Sequence, residues 1–525
     1  MIMKKILNIA ILAMATYSIM AQETYENAKI ATEDLNGTAR YVGMGGAMDA
    51  LGADISTISS NPAGLGLFRK SSANISVGMK GQQDASNWGG GKSSHISFDQ
   101  IGFVWANQIS STDFVNFAFN YHMSRDFNYI LSVADRLPVD DNGDPNTSQN
   151  RVTYEKQMEG LLYPWKSGAG NIPDFGYNPS YMCNQLDQAY MEQTDLVWDG
   201  SSMGYYGATD YLMNRATKGY IGSYDFALSG NVQDMFYWGV TLGFKDVHYS
   251  HYGEYRENYK TFGNYFLRVE DDRSITGTGF DMKFGVIFRP IEESPFRFGV
   301  SIATPTWYDL TTRNSTSIVS SESERVPCEN FDHKFKLNTP WKFGLSAGHT
   351  FDNYLALGIG YEYADYSSLD TRYGDDYDDY NYSGSTSDAA MNRHTERTLR
   401  GVSTLKVGAE YRPIPELAFR MGYNYVSPMY QNNAFKDTSV ESSGTSVGTT
   451  TDFTNWDSTN RLSFGIGYQM GHWNLSATYL YTVQKGTFEP FYYEPLDNPD
   501  NYFEANKVNL TYKRNHFQLT LGYTF

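Results

Sequence analysis

Few residues in this sequence are spaced for bond-making chemistry. The nine histidines form no H-E-x-x-H pattern. His248 and His251 lie three apart in a strand-like run, which sends them to opposite faces and makes them poor joint metal ligands. A hydrolase would need a nucleophile with a histidine and an acid partner, and no local G-x-S-x-G supplies one, although partners on separate strands escape a sequence reading. The acidic runs DDNGDPN from Asp140 and GDDYDDYNY from Gly374 offer clustered carboxylates to calcium, but they lack EF-hand spacing and acidic surface loops are common, so the solvated-loop reading is favoured. Cys183 and Cys328 are the two cysteines, and an oxidising compartment permits but does not establish their pairing. The pointed chemistry is conformational. In Asn61-Pro62-Ala63, the Asn61 side chain can accept a free backbone N–H, and Pro62 suits a first helical position where no N–H is needed. Upstream, Gly43, Gly45 and Gly46 remove side chains where the backbone needs positive φ or close contact with a wall.

The elements that must position this box are strands. Residues 1–21 carry Lys4 and Lys5, an apolar stretch and small Ala21, the pattern of a secretory signal peptide. Beyond it no run of 18 apolar residues writes a transmembrane helix. Instead the chain alternates. Leu462, Phe464, Ile466, Tyr468 and Met470 share one face, while Ser463, Gly465, Gly467 and Gln469 share the other. Trp473 to Val483, Trp341 to Phe351, Leu355 to Tyr363, Leu405 to Tyr411 and Leu417 to Tyr425 repeat the pattern. A membrane barrel produces it by sending every other residue to lipid. A soluble sandwich also alternates, so the choice rests on other features. Aromatic residues make up 16% of the chain, with 42 tyrosines, and several begin or end the runs, as an interfacial girdle requires, while very short turns alternate with long polar connections. The chain stops on Phe525 in an alternating strand. The formal charge of −18 argues against nucleic acid, whose phosphates need clustered Lys and Arg.

The stretch Ala39 to Phe68 resembles the outer-membrane transporters of long-chain fatty acids and aromatic hydrocarbons, the FadL/TodX-like barrels. The resemblance rests on R-x-x-G-M-G-G-A at Arg40 to Ala47, on Asn61-Pro62-Ala63, on their place before the first strand, and on the aromatic C-terminus. It implies a fourteen-stranded barrel closed by an N-terminal hatch that carries this box, so Gly43, Gly45, Gly46, Asn61, Pro62 and Ala63 are the expected gating residues. The competing reading makes the box a capped turn joining an arm to some barrel.

The expected fold is thus an all-β transmembrane antiparallel barrel of about 14 strands. Residues 1–21 form the signal peptide, 22–71 the hatch or plug, and 72–525 the barrel with long extracellular loops. The largest loop spans about 122–219, with YEKQMEGLLYPW and YLMNRATKGY as short amphipathic helices; in the resembled family it would form a greasy landing groove, and otherwise it packs over the barrel mouth. The raw count of runs is odd, with one beginning near Arg397. Val508, Leu510 and Tyr512 hold one phase and Phe517 to Phe525 the other, which predicts a bulge at Lys513 to His516 within one long final strand. A second phase break, near Asp99-Gln100, predicts another bulge. In function, the leading expectation is passive, gated uptake of hydrophobic small molecules through the outer membrane of a Gram-negative bacterium. No cofactor is implied. The partners are the cargo, membrane lipid and, through the Phe525 strand, the barrel-assembly machinery. Alternatives are a haem or porphyrin receptor, a general diffusion porin, and an outer-membrane lipase or protease.

Overall fold

The computed structural model describes residues 24–137, 197–198, 203–204, 208–259, 265–321, 325–327, 331–374, 384–437, 440, 450–491 and 505–525. The expected signal peptide, both cysteines, YEKQMEGLLYPW and the first acidic run lie outside them, as does the second acidic run beyond Gly374.

The wall is built from β1 (Ser72–Gln82), β2 (Ser94–Gln108), β3 (Phe114–Asp126), β4 (Tyr129–Arg136), β5 (Ala208–Val232), β6 (Phe236–Tyr259), β7 (Tyr265–Phe288), β8 (Arg297–Ala303) and β9 (Trp307–Ser320). It continues through β10 (Phe331–Asn338), β11 (Lys342–Phe351), β12 (Leu355–Asp365), β13 (Asp370–Gly374), β14 (Gly401–Ile414), β15 (Leu417–Val426), β16 (Phe453–Met470), β17 (Trp473–Glu489) and β18 (Val508–Thr524). Some crossings are interrupted. Pro305 separates β8 from β9 and Pro340 separates β10 from β11, because proline has no N–H to give the ladder. Neighbouring crossings pair antiparallel, and β1 pairs with both β2 and β18, so a barrel of 14 crossings closes on itself.

The outer surface decides the solvent. Val77, Phe117, Phe226, Leu242, Phe284, Phe298, Leu345, Ile359, Val407, Phe419, Ile466 and Leu519 are all exposed, and they come from every part of the wall. An apolar belt that encircles a protein is stable only against hydrocarbon. Trp473, Tyr354, Tyr411 and Tyr468 rim it at the end with short turns, and Trp307, Trp341 and Tyr363 rim it toward the long connections. The inward residues are polar: Ser76, Asn116, Asp225, Thr241, Lys283, Glu410, Arg420 and Ser463 are buried.

Toward the long connections this polarity reverses. On β9 and β10, Tyr308, Leu310, Phe335 and Leu337 face inward and are buried, whereas Asp309, Arg313, Asp332 and Lys334 face outward. Above the belt the outside is water and the inside is an apolar core, so the alternation keeps its period and exchanges its sides. This explains the final strand. β18 runs through Lys513 to His516 in unbroken register with both neighbours, with Leu510, Tyr512, Arg514, His516 and Gln518 all on the inward phase. The expected merger of two runs into one strand holds, but the expected bulge is absent; the phase break is a change of medium. The second expected bulge is present, with Ser76 opposite Gln100, Val77 opposite Phe98, and Asp99 as the extra residue.

Three further expectations are corrected. YLMNRATKGY is not helical but lies in β5, where Tyr211, Met213, Arg215 and Thr217 alternate inward. The connection read as 122–219 is correspondingly shorter, since β3, β4 and β5 occupy both its ends. Arg397 starts no strand; it lies in a helix, Ala389–Thr398, capped by Asp388.

Candidate functional site

Residues 24–70 run along the inside of the wall, from the long-connection end to the short turns. They comprise α1 (Thr24–Ala31), α2 (Ala39–Gly43), and two 3-10 turns, Ile55–Ser59 and Pro62–Leu67. Local capping makes these pieces. Thr38 accepts from Tyr41 N and donates to the Asp54 carboxylate, which in turn accepts from Ser56 N. Asn61 caps the last turn by accepting from Ala63 N at 3.2 Å, with Pro62 at its first position, as the box predicts. Gly45 and Gly46 sit at φ 63° and 80°, the left-handed region that glycine adopts without penalty.

So much irregular backbone needs partners inside the barrel, and the wall's inward polar side chains provide them. Ser463 Oγ donates to Gly43 O, Asn424 Nδ2 to Gly45 O, Thr241 Oγ1 to Ile58 O, and Asn116 Nδ2 to Leu65 O, at 3.1, 3.3, 2.9 and 2.7 Å. Ala39 N donates to Thr520 Oγ1 at 2.7 Å. Arg40 reaches Glu410 at 3.0 and 3.1 Å and the Ala53 carbonyl at 2.9 Å.

Close approach also needs a bare wall. Gly348, Gly358, Gly408 and Gly422 are direct cross-strand partners on β11, β12, β14 and β15, forming one row of four. A methyl group on them would strike Leu51, Ala47 O, Met44 O and Gly45 N respectively. A second patch, Gly239, Gly285 and Gly299, receives the box: added methyls would collide with Pro62, with Asn61 and Pro62, and with Asn61. The expected gating residues therefore fall in two places, Gly43, Gly45 and Gly46 against β14 to β17, and Asn61, Pro62 and Ala63 against β6 to β8. Sequence reasoning missed both glycine patches. Their signal is present, since these glycines sit at inward positions of alternating runs, but it emerges only when the register joins them.

Above this seated segment lies a cavity of about 340 Å³. Its apolar side is aromatic. Tyr25 of α1 stacks on Tyr430 at 5.1 Å and packs against Phe453, while Tyr129 meets Tyr512 at 5.2 Å and Trp456 at 5.9 Å. Its polar side centres on Asp34, which lies 3.2 Å from Arg125, 3.3 Å from Arg514 and 3.9 Å from Arg461. Burial pushes the Asp34 carboxyl up, but these three guanidiniums outweigh it and hold the group well below the usual carboxylate range. His248 and His251 point to opposite faces, exposed and buried respectively, so they do not converge on a common ion.

No protein-family profile matches the sequence, and no curated protein does. Among solved structures, the chain is similar to CymD, a monoaromatic hydrocarbon channel, at 12% identity and a TM-score of 0.48, over 94% of this chain and 99% of that one. It is similar to the P. putida toluene transporter TodX at 10% identity and 0.47, over 94% and 99%. A Pseudomonas aeruginosa FadL homologue aligns at 13% identity and 0.47, over 94% and 100%.

Proposed function

We propose that the protein is an outer-membrane channel of a Gram-negative bacterium for passive, gated uptake of hydrophobic small molecules, such as long-chain fatty acids or aromatic hydrocarbons, with residues 22–71 as its hatch. The observation that carries this reading is the seating of an N-terminal segment on glycine-bare wall beneath an aromatic cavity. A diffusion pore has no use for such a segment, and an aromatic chamber of this size suits an apolar guest. Cargo enters from the long-connection end, rests against the aromatic side chains, and passes on when the hatch shifts. Apolar burial favours each stage by roughly 25 cal/mol per Å² removed from water, so the route runs downhill without an energy source.

The test removes Gln22 to Lys70 and, separately, combines Asn61→Ala with Pro62→Ala. Planar-bilayer conductance and uptake of labelled hexadecanoate and toluene into liposomes are measured. Deletion is expected to raise conductance; the double substitution is expected to impair uptake while the barrel stays folded. Unchanged conductance after deletion, in a barrel that still shifts on a gel when boiled, refutes the hatch. Uptake of neither compound by the intact protein refutes the cargo class.

A further inference from the structure

The arginine cluster around Asp34 is unbalanced in a way that plug docking alone does not explain. Arg125, Arg461 and Arg514 come from three separate strands, β3, β16 and β18, and all three approach the same oxygen, Asp34 Oδ1. Arg461 and Arg514 are each only 8% exposed. The neighbouring carboxylate, Asp126, already faces Lys80 at 3.3 Å and His95 at 3.0 Å. Within 4 Å, three cations, two of them buried, thus share one carboxylate, and the further partner of Arg461 is the neutral Asn424, whose Oδ1 accepts from it at 2.9 Å. The Nε atom of each guanidinium is also buried without a hydrogen-bond partner among the described residues. Buried cations that outnumber their carboxylate and unmet donors each cost free energy, and a wall that served only to hold Asp34 would need one arginine. Guanidinium groups in excess of their carboxylate are suited to receiving another planar anion. Beside them stands the Tyr129–Trp456–Tyr512 cluster, whose rings line the same cavity.

We propose that Arg125, Arg461 and Arg514 form an anion site which the hatch occupies with its own carboxylate, Asp34, and which the carboxylate of an amphiphilic cargo takes over. The apolar tail of the cargo lies on Tyr129, Trp456 and Tyr512. Asp34 is then an internal competitor. Its backbone N–H is held by Ser124 O at 2.8 Å and its Oδ2 accepts from Asp126 N at 3.1 Å, so displacing the carboxylate also frees the arm that joins α1 to α2. Cargo binding and loosening of the hatch become one exchange of anions. The coupling to transport rests on gated uptake; the competition for the arginines does not.

The experiment uses the full-length mature chain in phosphatidylcholine nanodiscs. Equilibrium binding of radiolabelled dodecanoate and of dodecanol, which shares the tail but carries no charge, is measured against protein-free discs. Asp34→Asn is expected to bind dodecanoate roughly tenfold more tightly or better, the worth of one hydrogen bond to a charged group, with dodecanol unchanged. Arg461→Gln combined with Arg514→Gln is expected to abolish the preference for dodecanoate. Each variant is first shown to shift on a gel when boiled. If Asp34→Asn tightens both ligands equally, the substitution has merely loosened the hatch and the competition is refuted. Equal binding of the two ligands by the unsubstituted protein also refutes it. If the competition holds but liposomes take up no dodecanoate, the anion site stands and the uptake function falls. Uptake without any carboxylate preference leaves the transport function standing and overturns the anion site.

Discussion

Replacing Gly408 by alanine isolates the contact between the N-terminal segment, the proposed hatch, and the wall. The added methyl would point inward and overlap the Met44 carbonyl, a backbone atom that cannot swing aside as a side-chain end does. Gly408 is paired with Gly358 on one side and Gly422 on the other, so the strand itself has room and its ladder is untouched. The strain falls on the Met44–Ala47 segment. Overpacking of this kind costs about 1–3 kcal/mol. Moving the segment outward would also stretch the bonds from Ser463 to Gly43 O and from Asn424 to Gly45 O, now 3.1 and 3.3 Å. Even at the lower figure, the ratio of seated to unseated hatch falls roughly 5-fold, and at the upper figure about 150-fold. The assay labels a cysteine placed at Val42, a buried residue of α2 within the seated segment itself, in a background with Cys183 and Cys328 changed to serine. Gly408→Ala is expected to speed labelling and raise bilayer conductance, with the gel shift on boiling retained. The outward neighbour Val407→Ala serves as control and leaves both readouts unchanged. Equal labelling rates for Gly408→Ala and the parent, in folded protein, would refute the glycine row as the seat of the hatch.

Face and depth can be tested together. Ile466→Arg, on the lipid face, is expected to destabilise the barrel by about 2–4 kcal/mol in urea-dependent folding, whereas Gly465→Arg should fold and alter conductance because it intrudes beside Arg420. On β18, Leu519→Arg should cost a similar ~2–4 kcal/mol. Asn509→Arg, exposed above the belt on the same phase, should change stability by less than about 0.5 kcal/mol, and equal costs would refute the reversal of polarity. The Asp34 carboxyl is held below its unfolded value, so its contribution to seating is fully present above an ordinary aspartate pKa of about 3.9 and is lost only as pH falls well beneath that. Conductance is therefore expected to stay flat from neutral pH into the mildly acid range. In Asp34→Asn it should already be raised at neutral pH, and a wild-type rise that begins above the ordinary carboxylate range would contradict the assigned partners.

The sequence by itself determined the class of fold, the faces of the alternating runs within the belt and the capped turn at Asn61, because these follow from interactions between residues close in the chain. Phe464, Ile466 and Tyr468 face lipid through period-2 geometry alone, and Asn61 caps its turn through an N–H two residues away. The same local reading failed where the medium changed. Val508, Leu510 and Tyr512 lie on the phase of Gln518 and Thr520, and only the position of the belt shows that inward means apolar at one height and polar at another. The strand start at Arg397 and the helix at YLMNRATKGY failed for a related reason, since outside the belt neither alternation nor amphipathicity reports which neighbour supplies the hydrogen bonds. Tertiary structure alone decided where the N-terminal segment meets the wall and which arginines gather around Asp34. Gly348, Gly358, Gly408 and Gly422 belong to four strands, and Arg125, Arg461 and Arg514 to three. Their meeting depends on the register of a closed barrel, where every strand position is fixed by its two neighbours and ultimately by the pairing of β1 with β18.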